Sequence, residues 1–550
     1  MMIRSWITAV GVAGLLAAPA FADDQVEVLA RGPVHEAYAE PSEREPKPTP
    51  VIPKKPPEVI EELPPDQKPE GDNVQWLPGY WAWDEDKTDF VWVSGFWRVA
   101  PPNRTWVPGS WQRAGDGYQW TGGFWAEANA GKADIEYLPQ PPAPLDADGP
   151  TTPAPSESHT YVTGSWVYRD RYVWRPGYWI EHRPNWVWCS AHYQWTPAGY
   201  VFVDGYWDYP LASRGVLFAP AYIPPAVYTV PNYVYTPTVV VREECLYGAF
   251  FARRGFGCYY FGDYFAPRYA GLGFTAWNGY VSASVSIGGG WCDPLFSYYR
   301  CGYRNDPFWG GGIGNLYAGR FRGDYARPPI NLVQQNTVIN NITNNTTIVN
   351  KNVNVNNVQM LTSIRNQDRV GNMNLRRVSD SVVRSDAAAA RDIRATAARR
   401  VEQESRLSAA TRPGGRPQGP QRATLEVPQR PAAAARPGVE RPGAASRPTT
   451  ERPGAGATIA RPAPPAPRPA PAGVTEARPR PKADIAGAAA RPDGPTNRIA
   501  PKADARPDRV TPRPGGPSAT RPDPASRSAG PALTRPDPTP RADPVPTSAR

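Results

Sequence analysis

Histidine is nearly absent from this chain. Four occur in 550 residues, at His35, His159, His182 and His192, and no Gly-x-Ser-x-Gly, His-Glu-x-x-His or phosphate-cradling glycine loop accompanies them. Serine hydrolases, zinc proteases and nucleotide-binding enzymes are thereby disfavoured, and no catalytic residue or cofactor is nominated. Cysteine is also sparse, with five residues, and lacks the paired Cys-x-x-Cys spacing of a zinc site, so no metal is expected even where Cys189 lies near His182 and His192. Beyond the first 22 residues there is no apolar run of about eighteen residues, so no membrane-spanning helix is expected in the remainder.

Tryptophan, by contrast, is abundant. Of 20 Trp, 16 lie between Val74 and Trp207, in a phrase that reads aromatic, two residues, Gly, one residue, aromatic. Its copies are Trp76 to Trp81, Trp92 to Trp97, Trp106 to Trp111, Trp120 to Trp125, Tyr161 to Trp166 and Trp174 to Trp179, followed by two degenerate ones, Trp188 to Tyr193 with Ala191 for Gly and Tyr for Trp, and Phe202 to Trp207, which opens on Phe. The period is about fourteen residues, a repeat signature. Alternation such as Tyr172-Val-Trp174 is strand-like and puts both aromatics on one face. The recurrent Gly suggests a tight turn with positive φ, most often after Pro, so each copy is expected to form one hairpin with Trp76 facing Trp81 and Trp174 facing Trp179. A unit this small must share its faces with its neighbours. Two readings of the aromatic face follow. It is core, or it stays open as a platform for glycan rings, whose candidate residues are Trp76, Trp81, Trp92, Trp97, Trp106, Trp111, Trp120, Trp125, Trp174, Trp179 and Trp207.

Phrases such as Tyr172-Val-Trp174-Arg-Pro-Gly177-Tyr-Trp179 and Tyr118-Gln-Trp120-Thr-Gly-Gly123-Phe-Trp125 resemble the YXWGXW repeat family of bacterial exported proteins. The resemblance covers about 130 residues. It implies an exported repeat protein and no activity.

The rest of the chain divides by composition. Residues 1–22, with Arg4, an apolar run from Trp6 to Leu16 and Ala20-Phe-Ala22, read as a signal peptide, which directs the protein to the periplasm, envelope or exterior. Residues 23–73 and 127–159 are Pro-rich and read as extended linkers around Trp-repeat modules at 74–126 and 160–210. The acids of Asp84-Glu-Asp86 and Asp89 read as a solvated turn. Residues 211–330 are a Tyr/Gly-rich β region. It holds Cys245, Cys258, Cys292 and Cys301, whose nearest pairings, 245 with 258 and 292 with 301, are disulfide candidates in an oxidising compartment, though four cysteines allow three connectivities. Residues 331–360 alternate Asn with Val or Ile and read as strand, with Asn-ladder self-association as the second reading. Within 361–410 a helix is expected, with Ile393, Ala397 and Val401 on its buried stripe. Residues 411–550, rich in Arg-Pro and Ala, cannot bury enough surface to order themselves and read as a disordered basic tail. The net charge of +10 suits anionic envelope surfaces or wall polymers, and no nucleic-acid motif is present. The expected fold class is mainly β: tandem hairpin repeats in two modules, an irregular Tyr/Gly-rich β region, one short helix and long disordered stretches. The expected function is that of a non-enzymatic structural or cell-envelope surface protein, with a glycan- or wall-binding module as the alternative.

Overall fold

The computed structural model describes residues 25–41, 46–71, 73–145, 150–253, 256–279, 293–344, 358–410 and 419–428. The leader, Cys292, residues 345–357 of the Asn/Val stretch and almost all of the tail lie outside them. The described protein is mainly β, made of short and mostly antiparallel strands, with helices concentrated after residue 290.

The unit of the repeat region is two copies rather than one. Strand Val74–Leu77 pairs with Phe96–Val99, which sets Trp76 opposite Trp97, and strand Tyr80–Asp84 pairs with Asp89–Val93, which sets Trp81 opposite Trp92. The reversal therefore falls between Asp84 and Asp89, while Pro78-Gly79 and Ser94-Gly95 are corners at which the chain leaves one two-stranded ladder for the next. We call this nested pair a bracket. Bracket II matches Trp106 with Trp125 and Trp111 with Trp120. Bracket III matches Tyr161 with Trp179 and Trp166 with Trp174. Bracket IV matches Trp188 with Trp207 and Tyr193 with Phe202. The expected hairpin within each copy, with Trp76 facing Trp81 and Trp174 facing Trp179, is thus corrected: facing aromatics belong to neighbouring copies.

The corner glycines serve close approach. None of Gly79, Gly95, Gly109, Gly123, Gly164, Gly177 or Gly205 takes a positive φ. A Cβ on Gly95 would lie 2.6 Å from Leu77 O and 2.9 Å from the Trp76 ring, and one on Gly79 would sit 2.8 Å from the Gly95 nitrogen and from the Trp92 ring. In brackets I and II the two corners touch backbone to backbone under the indoles, which leaves no room for a side chain; bracket IV carries Ala191 at one of its corners. Each facing aromatic pair packs edge to face or tilted, with centroids 5.0 Å apart for Trp76 and Trp97 and 5.2 Å for Trp81 and Trp92, Trp106 and Trp125, and Trp166 and Trp174.

Brackets stack in twos through one recurring contact. Trp111 of bracket II donates its Nε1–H to Trp81 O of bracket I at 2.8 Å, and Tyr193 of bracket IV donates its hydroxyl to Trp166 O of bracket III at 2.9 Å. The 74–207 region is therefore a tandem duplication of a two-bracket unit.

The Pro-rich segments expected to be linkers are built into the fold. Between residues 25 and 71 five short strands pair with Tyr222, Phe261, Tyr118, Val234 and Leu375 and their neighbours, and Ala30, Val34, Ala37 and Tyr38 are core. Proline has no N–H to satisfy, so an extended Pro-rich stretch can be buried provided its carbonyls find donors. Here indole N–H groups supply several. In the second expected linker, Lys132–Leu138 is a strand between Gly199–Val203 and Gln421–Glu426, with Ile135 and Tyr137 buried. The start of the expected disordered tail is thus a strand.

Downstream of the brackets, a four-stranded sheet orders Gly32–Pro33, Cys258–Phe261, Phe250–Arg253 and Phe274–Ala276. Helices Pro294–Gly302 and Ile313–Arg322 pack their Tyr299, Phe296 and Tyr317 into the same core. The acid turn of bracket I docks here instead of standing in solvent: Glu85 binds Arg253, and Asp86 takes Arg31, Arg268 and the Tyr269 hydroxyl. The proposed pairing of Cys245 with Cys258 does not form, and that of Cys292 with Cys301 involves a residue outside the described ones. Cys245 points its thiol at Gln359 O (3.1 Å), Cys258 faces Arg253 across the sheet, and Cys301 points at Glu157 O (3.3 Å), so no disulfide joins Cys245 to Cys258. Separation in sequence misled because sheet and helix place each thiol against a different partner.

Leu332–Asn344, expected as strand, is helix. Its start explains why: Asn331 Oδ1 accepts from Gln334 N, and Gln334 Oε1 accepts from Ile330 N, a reciprocal cap that commits the next turn. Inside the helix, the Gln335 amide brackets Leu361, accepting from its N–H and donating to its carbonyl. Leu361–Ser363, Arg369–Val370 and Met373–Arg377 are short strands, and the helix runs Asp380–Ala410. Ile393 is buried as expected. Ala397 and Val401 are only half-buried, and the fully buried positions below them are Thr396, Arg400 and Glu404.

Candidate functional site

Six of the eleven candidate platform residues are core: Trp76, Trp81, Trp92, Trp97, Trp106 and Trp125 are each no more than 3% exposed. Trp111, Trp120, Trp174, Trp179 and Trp207 are half-buried. Bracket III is the most open, with Val173 and Tyr178 exposed on its strands.

Brackets I and II close their corners with buried carboxylates. Glu62 accepts Gly79 N, Gly95 N and Trp92 Nε1, all at 2.9 Å, and faces Arg394 of the long helix at 3.8 Å. Burial raises its pKa, and Arg394 and the N–H donors oppose that rise. Glu36 does the same for bracket II, accepting Trp120 Nε1 (2.6 Å) and Gly123 N (2.9 Å), and burial pushes it up to about 7. Arg400 donates to Pro108 O and Gly122 O at the same corner and pairs with Glu404 at 2.7 Å. A third acid, Glu40, is raised to about 8 by burial; Tyr206 bonds one oxygen, and the other meets no donor. His35 and His192 are buried and held neutral, their pKa values lowered by desolvation. Glu36 and Glu62 are thus spent on backbone and indole partners. Among the described residues no group of three His, Cys, Asp or Glu could hold a metal ion.

The Pro-rich segments act as straps across the indoles. Trp81 Nε1 donates to Glu58 O (3.0 Å) and Trp97 Nε1 to Gln67 O (3.0 Å). In bracket III, Trp166 donates to Ala143 O (2.9 Å) and Trp179 to Thr152 O (3.2 Å). In both brackets the two acceptors are nine residues apart.

A small cleft lies between the outer ladders of brackets III and IV and helix Pro294–Gly302, lined chiefly by Tyr161, His182, Trp186, Trp188, Trp207 and Tyr298. The His182 ring packs on Tyr298 at 4.7 Å, and its buried Nδ1 meets no partner; burial and then Arg304 lower its pKa. Trp188 Nε1 is also buried without an acceptor.

No family model matches the chain, and neither does any curated protein or solved structure.

Sequence reasoning missed Glu36, Glu62, the strap carbonyls and His182. A usable signal was present: Pro56-Pro57-Glu58-Val-Ile60-Glu61 aligns with Pro141-Pro142-Ala143-Pro-Leu145-Asp146 at an offset of 85 residues, the offset that also relates Trp76 to Tyr161 and Trp81 to Trp166. The duplication includes the strap.

Proposed function

We propose that this is an exported, non-enzymatic structural protein of the cell envelope, in which Trp brackets laced by Pro-rich straps form a rigid body and the basic tail engages anionic surface. The observation that carries the reading is the use of indoles: rings are sunk in core, and the N–H groups of Trp81, Trp97, Trp166 and Trp179 are taken up by the chain's own straps. The resemblance to the YXWGXW exported proteins and the signal-like leader support the location. The half-exposed Trp174 and Trp179 favour a second reading, glycan stacking on bracket III. The test uses the chain from Asp23 onward, because residues 74–207 alone would lack Glu36, Glu62, Arg394 and Arg400. It is incubated with insoluble peptidoglycan, chitin and cellulose at 1 M salt, where charge contacts are screened within about 3 Å, and cells are fractionated in parallel. Envelope residence without depletion by any polymer supports the scaffold. Depletion lost on Trp174→Ala supports the glycan reading, and a cytoplasmic location overturns both.

A further inference from the structure

Each bracket has an outer ladder at its open end and an inner ladder next to its reversal. In three of the four brackets the second strand of the inner ladder takes a third, antiparallel strand on its far edge. In bracket I, Asp89–Val93 receives Ala221–Tyr222, with Ala221 opposite Trp92. In bracket II, Gly117–Thr121 receives Val51–Ile52, with Ile52 opposite Tyr118 and Val51 opposite Gln119. In bracket IV, Gly199–Val203 receives Lys132–Leu138, with Leu138 opposite Tyr200 and Tyr137 opposite Val201. The corresponding strand of bracket III is Arg171–Arg175, and among the described residues its ladder with Ser165–Arg169 has two strands only. By the duplication bracket III answers to bracket I, whose edge is filled, and both second brackets have theirs filled as well.

The edge stands open. Val173 is 45% exposed, whereas Val91, at the same place in bracket I, is fully buried. An edge strand presents a row of outward N–H and C=O groups on which an extended chain can pair, and its side chains select which chain. Arg169, Arg171 and Arg175 share one face with Val167 and Val173. Against them stand Asp170 in the turn and Asp204, 3.9 Å from Arg175, so the face is net positive. That charge disfavours a second copy of the same edge, since antiparallel self-pairing about Val173 would set Arg171 of each chain against Arg175 of the other. The other face carries Tyr172 and Trp174. At the filled edges, Ile52 and Leu138 stand opposite the counterparts of Tyr172, and Ala221 opposite the counterpart of Trp174.

We propose that the Arg171–Arg175 edge binds an extended acidic segment of another protein, which adds as an antiparallel third strand of the class acid, apolar, Val or Tyr, Ile or Leu, acid. The two acids meet Arg175 and Arg171, the apolar residues lie beside Trp174 and Tyr172, and the backbone completes the ladder. The inference stands apart from the scaffold reading, since a rigid envelope body exists with this edge bare or filled.

The test uses the chain from Asp23 onward and the fluorescein-labelled peptide Gly-Ser-Glu-Ala-Val-Ile-Glu-Ser-Gly, followed by anisotropy at low salt. Saturable one-to-one binding is expected, weakening as salt rises and the arginines are screened. Exchanging both Glu of the peptide for Lys should abolish it. The double variant Arg171→Glu, Arg175→Glu alters two exposed side chains and should reverse the preference, weakening the Glu peptide about ten-fold and gaining the Lys peptide. Backbone N-methylation separates strand addition from plain charge attraction. Alternate residues of an added antiparallel strand turn their N–H toward its neighbour, so of two peptides methylated at alternate positions one should lose binding and the other keep it. A peptide with photoreactive benzoylphenylalanine in place of its Val should crosslink to a fragment containing Val167 or Val173, a readout that needs no variant to fold. No saturable binding, equal binding by the Glu and Lys peptides, undiminished binding by both N-methylated peptides, or crosslinking elsewhere would each overturn the proposal.

Discussion

Replacing Glu62 by Gln tests whether the corner carboxylate holds a bracket together. Glu62 Oε1 accepts from Trp92 Nε1 and Gly95 N, and Oε2 accepts from Gly79 N. An amide presents one oxygen and one NH2, so at least one of the three buried donors would face another donor. An orphaned buried donor costs about 1–3 kcal/mol. Arg394 would also lose its counter-charge, but at 3.8 Å and with part of its side chain in solvent that loss is the smaller share. The expected total is about 2–4 kcal/mol. Urea unfolding followed by Trp fluorescence should show the midpoint falling by the corresponding amount with little change of slope. The neighbouring Glu61→Gln serves as control. Glu61 pairs with Arg391 on the surface, where both side chains are substantially exposed, so its loss should cost under about 1 kcal/mol. If Glu62→Gln costs no more than Glu61→Gln, the carboxylate staple is not what secures the corner and the account of brackets I and II fails.

The ranking of the tryptophans is tested by Trp97→Ala, which should destabilise by about 3–5 kcal/mol as truncations of buried Trp do, whereas Trp174→Ala on the open bracket III should cost clearly less; equal costs in chemical denaturation would refute the assigned burial. Alkylation without reductant after unfolding should label Cys189, Cys245, Cys258 and Cys301, and mass analysis finding any two of these linked would overturn the free-thiol arrangement. In the folded protein Cys258 and Cys189 should label slowly, because burial pushes both thiols up to about 12 and little thiolate forms. Glu40 and Glu36 have folded pKa values raised to about 8 and about 7 from 4.5, so the native state holds protons that the unfolded state releases, and stability should fall as pH rises from about 5 to 8. Glu40→Gln, which mimics the protonated carboxyl, should flatten part of that slope in pH-dependent melting, and an unchanged or steeper slope would contradict the assignment.

The repeat period, the β class and the aromatic faces were legible because they are local: alternation and a recurrent Gly survive in one dimension. The pairing was not, and the reason lies in what Gly79 can mean. A Gly after Pro fits a positive-φ turn and a close-contact corner equally well, and only the strand partner decides; Trp92, thirteen residues on, supplies it by facing Trp81. The straps were missed for a related reason. Composition ranks Pro56-Pro57 or Pro141-Pro142 as solvated spacer, since such segments lack apolar side chains to bury. Yet what they contribute is carbonyl oxygen without competing N–H, which an indole-rich surface lacks and must find. Glu58 O and Ala143 O show the same solution reached at the same place in two copies, 85 residues apart. In a chain with so many Trp donors, a Pro-rich segment at constant offset from the repeats is therefore better read as part of the repeat. By the same logic the helix at Leu332–Asn344 was recoverable from Asn331 and Gln334, whose reciprocal cap outweighs the β-branched alternation that follows. Arg400 and Glu404, one helical turn apart and both fully buried, were not recoverable, because their burial depends on bracket II presenting the carbonyls of Pro108 and Gly122 to the guanidinium.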